Sequence, residues 1–132
     1  MIRPDVRAAI VAHARTCAPE EACGLIAGVG NEIRMVYPLT NARRSPVSFL
    51  IEPAEHFGAL RHAERNGWEL IGAFHSHPST EAVPSAVDAR EAGEPDWLYL
   101  VLGAVGEPRL RGWRIRPSGV EEVPLIEWPE EA

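Results

Sequence analysis

Two hydrophobic periods alternate along the chain. From Arg3-Pro4-Asp5 to about Cys17, apolar Val6, Ile10 and Ala14 recur every fourth residue, which predicts an amphipathic helix with Pro4 in its first turn and Pro19 ending it. The pattern then shortens to that of strands. Cys23 to Val29 and Ile33 to Pro38 are apolar runs separated by Gly30-Asn31, a short-loop hairpin signal, and Ser48-Phe49-Leu50-Ile51 reads as a further strand. Pro53 opens a second helix expected to bury Phe57, Leu60 and Ala63 or Ala59 before Gly67 closes it. Leu70-Ile71-Gly72-Ala73-Phe74 is a buried strand running into His75-Ser76-His77, and Pro78 stops it. A third helix from Ser85 to about Ala92 ends at Gly93, and Trp97 to Leu102 is an apolar strand suited to the centre of a sheet. Two more strands finish the chain. In the stretch Leu110 to Arg116 the apolar parity switches across Gly112, which predicts a bulge there.

Helices interleaved with a largely antiparallel sheet place the chain in the α+β class, with helices packed on a mixed sheet. At 132 residues, 45% of them hydrophobic, it is long enough to bury a core and short enough to be one domain, 1–132, without repeats or linkers. No run of about eighteen apolar residues exists to cross a membrane, and no signal-peptide core opens the chain. The two cysteines, Cys17 and Cys23, are too few for a secreted disulfide framework, so a cytoplasmic, reducing location is expected. Cys23 reads as a small core residue. A net charge of −6 disfavours nucleic acid as a partner. All 13 basic residues are arginine, so no side-chain amine of this chain can itself carry an isopeptide-linked modifier.

Candidate chemistry concentrates in His75-Ser76-His77-Pro78, followed by Ser85 and Asp88. Residues two apart on a strand face the same way, so both imidazoles converge on one point. A helix starting at Ser85 can swing Asp88 back toward them. Two imidazoles and a carboxylate make a three-ligand zinc site with a fourth position for water. Ser85 with Asp88 also matches a capping box, which is compatible with a ligand role because the cap aims the aspartate. The ion lowers the pKa of water from ~15.7 to about 7 but does not carry protons, so a carboxylate base is needed. Glu20 or Glu21 could serve. His13, His56 and His62 sit in the two long helices as ordinary surface or half-buried imidazoles. Trp68, Trp97, Trp113 and Trp128 read as packing residues, since no basic patch accompanies them.

Glu21-Ala22-Cys23-Gly24-Leu25 together with His-Ser-His-Pro-x7-Ser-x2-Asp resembles the JAMM (MPN-plus) metalloprotease family. In that family the glutamate lies three residues before the glycine, which selects Glu21. Asn41 to Pro46, the helix near Glu55 to Asn66 and Glu94 to Leu102 are similar in order and spacing to the small bacterial Mec-type branch, so the likeness covers nearly the whole chain. The resemblance implies a JAMM/MPN-like (cytidine-deaminase-like) fold and one Zn²⁺ per chain on His75, His77 and Asp88. It implies Glu21 as general acid/base and Ser85 as oxyanion stabiliser. The substrate implied is a ubiquitin-like sulfur-carrier protein, from whose C-terminal glycine cysteine is released.

The carrier's Gly-rich tail is expected to lie along an exposed strand edge near the site, in a cleft left open by the short loop Ser79 to Val83. Three other readings stand beside this one. The first is cleavage of ubiquitin-like conjugates at lysine. The second is a non-catalytic assembly module that keeps zinc for stability. The third is a RadC-like DNA-processing branch, against which Ser76 and the acidic charge both count. Oligomeric state is left open, a homodimer included.

Overall fold

The computed structural model describes residues 2–126. Its elements run α1 (Pro4–Cys17), β1 (Cys23–Val29), β2 (Glu32–Leu39), α2 (Pro53–Arg65), β3 (Glu69–His77), α3 (Ala86–Glu91), β4 (Leu98–Gly103), β5 (Arg109–Arg116) and β6 (Gly119–Val123). Six strands form one sheet in the order β2-β1-β3-β4-β5-β6, and every neighbouring pair is antiparallel except β3 with β4. The expected α+β class and largely antiparallel sheet are what is found. Among the described residues no helix is long and apolar enough to cross a membrane. Trp128 lies outside the described residues.

Both faces of the sheet are covered. On one, Val6, Ile10 and Ala14 of α1 pack on Ile26, Phe74, Leu100 and Leu102. On the other, Ala59 of α2 joins Leu25, Ala73, Tyr99, Val101, Trp113 and Ile115. Period-2 alternation therefore sends odd and even residues of the central strands into two different cores, which is why those strands read as continuous apolar runs. The same two-sided burial corrects the reading of Gly112. Leu110 belongs to the first core and Trp113 and Ile115 to the second, while β5 keeps unbroken register with β4 and β6. The apparent parity switch thus needs no bulge. Gly112 is instead a close approach, since a Cβ there would lie 2.8 Å from the Leu125 side chain. The sheet's irregularities fall on β1, at Ile26/Ala27 against β3 and at Ala27/Gly28 against β2.

Two further expectations are corrected. Ser48 to Ile51 is not a strand: it makes a single bridge, Asn41 with Ile51, because the Asn41 side chain takes up the Leu50 amide and the Ser48 carbonyl. In α2 the buried positions are Ala59 and Ala63, with Leu60 half-buried, whereas Phe57 is 59% exposed. Phe57 lies two residues, or about 200°, from Ala59 and so faces away from the sheet. Small residues on the inner stripe let α2 sit close against it.

Candidate metal centre

β3 is an interior strand, and its antiparallel pairing with β1 assembles the site. Cys23 pairs with His75, and Ser76 donates its amide to the Ala22 carbonyl. Continuing that register by one residue sets Glu21 opposite His77 on the same face. The Ser76 side chain, on the opposite face, fixes this approach: its hydroxyl oxygen accepts the Ala22 amide at 2.8 Å in a buried bond. Asp88 arrives from the other direction. Ser85 caps α3 reciprocally, its hydroxyl oxygen accepting from the Asp88 amide at 3.1 Å while its own amide donates to Asp88 Oδ2 at 2.8 Å. The expected capping box is therefore present, and it holds the aspartate in place.

His75 Nε2, His77 Nε2 and Asp88 Oδ2 form a small triangle with sides of 3.1, 2.9 and 3.0 Å. Ligands about 2.0–2.1 Å from a tetrahedral ion stand roughly 3.3 Å apart, close to these separations. His77 Nδ1 donates to the Glu81 carbonyl at 2.8 Å, so that loss of the Nε2 proton directs the Nε2 lone pair at the triangle. The His75 ring is held by Phe49, stacked at 4.6 Å and 24°. Glu21 Oε2 is 4.0 Å from His77 Nε2, and Oε1 is buried with no hydrogen-bond partner among the described residues. An unpaired carboxylate oxygen buried to 2% exposure beside three converging donors is expensive unless a cation or a water serves it. The four groups lie within 4.8 Å of one another and could hold a metal ion.

Electrostatics agree with the geometry. Burial pushes the Glu21 carboxyl up to about 7, with His77 pulling it down and Asp88 raising it. Burial pulls His75 below its ordinary value, against the hydrogen bond to Asp88. Burial also pulls on His77, but its bonds to Asp88 and the Glu81 carbonyl outweigh that and raise it. Burial works on Asp88 upward, yet its hydrogen bonds from the two imidazoles hold it far below the carboxylate range. Cys23 is fully buried, which pushes its thiol up to about 12 and makes it inert.

All five residues expected from the sequence thus meet here, Ser85 through Asp88. His13, His56 and His62 stay outside: His13 bonds the Leu39 carbonyl and His62 the Tyr37 hydroxyl. Asn41 was not singled out from the sequence. It is buried, donates to the Glu21 and Ser48 carbonyls at 3.1 and 3.0 Å, and accepts from the Arg43 and Leu50 amides at 3.0 and 3.1 Å. Glu21 in turn donates its amide to the Ser45 carbonyl. Asn41 therefore ties loop 40–52 to the glutamate. A cavity of about 240 Å³ opens beside His75 and Asp88, walled by Phe49, Leu50, Trp97 and Tyr99.

A buried cluster of two imidazoles and two carboxylates that could hold a metal ion is the arrangement of a metallohydrolase-like site. The family of prokaryotic homologues of the JAB domain matches residues 3–116. The CysO-cysteine peptidase of Mycobacterium tuberculosis is 38% identical over 129 residues, covering 95% of this chain and 88% of its own. A probable TtuB-protein conjugate cleaving protease of Thermus thermophilus is 42% identical over 118 residues, covering 87% and 74%. The solution structure of protein DSY2949 from Desulfitobacterium hafniense superposes with a TM-score of 0.89 at 38% identity, covering 98% of this chain and 94% of that one. The chain belongs to the JAB-domain family of prokaryotes and is a JAMM-type peptidase.

Proposed function

We propose that the protein is a zinc peptidase that hydrolyses the amide after the C-terminal glycine of a ubiquitin-like sulfur-carrier protein and releases cysteine. One Zn²⁺ per chain would be held by His75, His77 and Asp88. The observation that carries this reading is the buried, unpartnered Glu21 oxygen facing two imidazoles and a carboxylate whose donor atoms are about as far apart as a tetrahedral ion requires. Bound there, the ion supplies Lewis acidity, lowering the pKa of water and polarising a carbonyl.

Glu21, poised at about 7, accepts the proton of the attacking water and returns it to the leaving amine. Asn41 and Ser45 hold its backbone so that the carboxylate keeps its aim. The Ser85 hydroxyl spends its lone pair on the Asp88 amide and keeps its own proton free to donate to the developing oxyanion. The cavity walls exclude water from one side of the reacting bond. The sheet does not offer the strand edge expected beside the site, because β1 and β4 occupy both edges of β3. The loop segment at Phe49 takes that place: its amide and carbonyl have no partner among the described residues, and it borders both His75 and the cavity. A glycine tail pairs there without side chains to obstruct it.

The name of the M. tuberculosis relative favours cysteine release, and that of the T. thermophilus relative favours a second reading, cleavage of protein conjugates at lysine. Both cysteines are free thiols, in line with work in the cytoplasm. Incubating zinc-loaded protein with a carrier ending in Gly-Gly-Cys and with a lysine-linked conjugate separates the two. Glu21→Gln is expected to retain zinc and lose turnover. An active Glu21→Gln protein removes the assigned base, and a wild-type protein that melts on chelation yet hydrolyses neither substrate is an assembly module.

A further inference from the structure

One ion pair stands beside the cavity, where Glu91 lines it, without belonging to the metal centre. Arg43 Nη1 lies 2.9 and 2.8 Å from the two carboxylate oxygens of Glu91, joining loop 40–52 to α3. Its form is unlike that of a structural clamp. A single nitrogen is shared by both oxygens, while Nη2 and Nε of Arg43 contact no acceptor among the described residues. The two side chains are 37% and 45% exposed, and exposed pairs contribute little to stability. A planar guanidinium with most of its fork uncommitted is instead suited to a second carboxylate.

Its position says which carboxylate. Arg43 lies between Asn41 and Ser45, the two residues that bond the backbone of Glu21. Glu91 is three residues after Asp88 and lines the same cavity as His75. The guanidinium therefore stands where the base's loop meets the ligand-bearing helix. The group protonated by Glu21 is the leaving amine, so this is the leaving-group side. When the leaving residue is the last of its chain, its α-carboxylate is only two bonds from that nitrogen. Asp88, Glu91 and Glu94 are the carboxylates that line the cavity, beside His56 and His75, and they repel such an anion, whereas Arg43 stands next to the cavity through its bond to Glu91.

We propose that Arg43 is the receptor for the free α-carboxylate of the departing C-terminal cysteine, with Glu91 holding its place until substrate arrives. The inference rests on the cysteine-releasing reading above and adds a specificity element to it. A lysine-linked conjugate carries no carboxylate at this position and does not use Arg43.

The test compares a ten-residue peptide ending in Gly-Gly-Cys as the free acid with its C-terminal carboxamide. Binding is measured by calorimetry to zinc-loaded Glu21→Gln protein, and KM and kcat on the wild type. The acid is expected to bind about ten-fold tighter than the amide. Arg43→Gln should erase that preference, whereas Glu91→Gln, which frees the guanidinium, should tighten acid binding. Opposite signs for the two substitutions are what a purely structural pair cannot produce. Equal binding of acid and amide by the wild type, no measurable binding of the acid, or a shift in the same direction from both substitutions overturns the role of Arg43. If both peptides are nonetheless hydrolysed, the peptidase reading survives that failure. Cleavage of a lysine-linked conjugate with no hydrolysis of either peptide overturns the role of Arg43 and cysteine release together.

Discussion

Asn41→Ala is the substitution that best separates metal binding from alignment of the base. The Asn41 side chain uses its whole capacity, two donors and two acceptor bonds, on the backbone of Glu21, Arg43, Ser48 and Leu50. Neutral hydrogen bonds contribute about 0.5–1.5 kcal/mol each, so four of them, in a side chain that is buried, put the loss at about 2–6 kcal/mol. For a chain of this size roughly 4 °C of melting temperature accompanies each kcal/mol, giving a fall of about 8–24 °C. None of the four partners is His75, His77 or Asp88, so zinc content should be unchanged. Turnover should not be, because Glu21 is held from behind by this residue, and a misplacement near 1 Å can cost about 100-fold in rate. The assays are thermal melting, elemental analysis and kcat/KM on one preparation.

Asn41→Asp sharpens the comparison. It keeps the acceptor for the Arg43 and Leu50 amides but sets a carboxylate oxygen against the Glu21 and Ser48 carbonyls, about 3 Å away. Asp at this position should therefore be no better than Ala. An Asn41→Asp protein with wild-type melting temperature and turnover would refute the assignment of those two donors, and with it the view that the loop aims Glu21.

Two further predictions concern the ion. His75→Ala removes one corner of the triangle and should leave purified protein without stoichiometric zinc by elemental analysis, and chelator, expected to lower the melting temperature of the wild type, should then have no effect. Zinc affinity should rise with pH between 6 and the raised His77 value, since His77 must lose a proton to bind, and Glu21, pushed up to about 7, loses another beside the cation. His75 is held neutral by burial and Asp88 ionised by its hydrogen bonds, so neither adds to the slope. One to two protons correspond to about ten- to a hundred-fold per pH unit, flattening above that window. Competition titrations that find a constant affinity from pH 6 to 8 would contradict it. The sign in the metal-free protein is opposite: a raised His77 contributes stability below pH ~6.5 that is lost as pH climbs through its folded value.

What could be read from the sequence was local, and what could not was a matter of register and of side chains bonding backbone. The i, i+2 histidines, the cap at Ser85 and the hairpin at Gly30-Asn31 are decided by neighbours a few residues apart, and each is found where the spacing placed it. Glu21 and His77 are 56 positions apart, and their meeting depends on Cys23 pairing with His75 rather than with a residue one step away. A slip of one residue would send Glu21 to the opposite face, and nothing within the glutamate's own segment fixes that choice. Only the resemblance to JAMM enzymes, carried by the spacing to Gly24, singled it out from Glu20.

The loop between β2 and α2 misled for a related reason. Phe49, Leu50 and Ile51 have strand propensity, but the Ser48 carbonyl and the Leu50 amide on either side of Phe49 are claimed by one asparagine seven and nine positions earlier, and Phe49 is committed to the His75 ring instead of a sheet partner. That failure of propensity coincides with function. The stretch beside the cluster that looks like a strand and is not one bonds the Glu21 backbone, stacks on His75, carries Arg43 and leaves the Phe49 amide and carbonyl without a partner among the described residues. A regular strand would have consumed those groups in the sheet, whereas a loop pinned by Asn41 keeps them available while remaining fixed. Among the described residues, the buried Asn41 amide is the one side chain that ties both ends of this loop to the Glu21 carbonyl, which is why its removal should cost turnover before it costs metal.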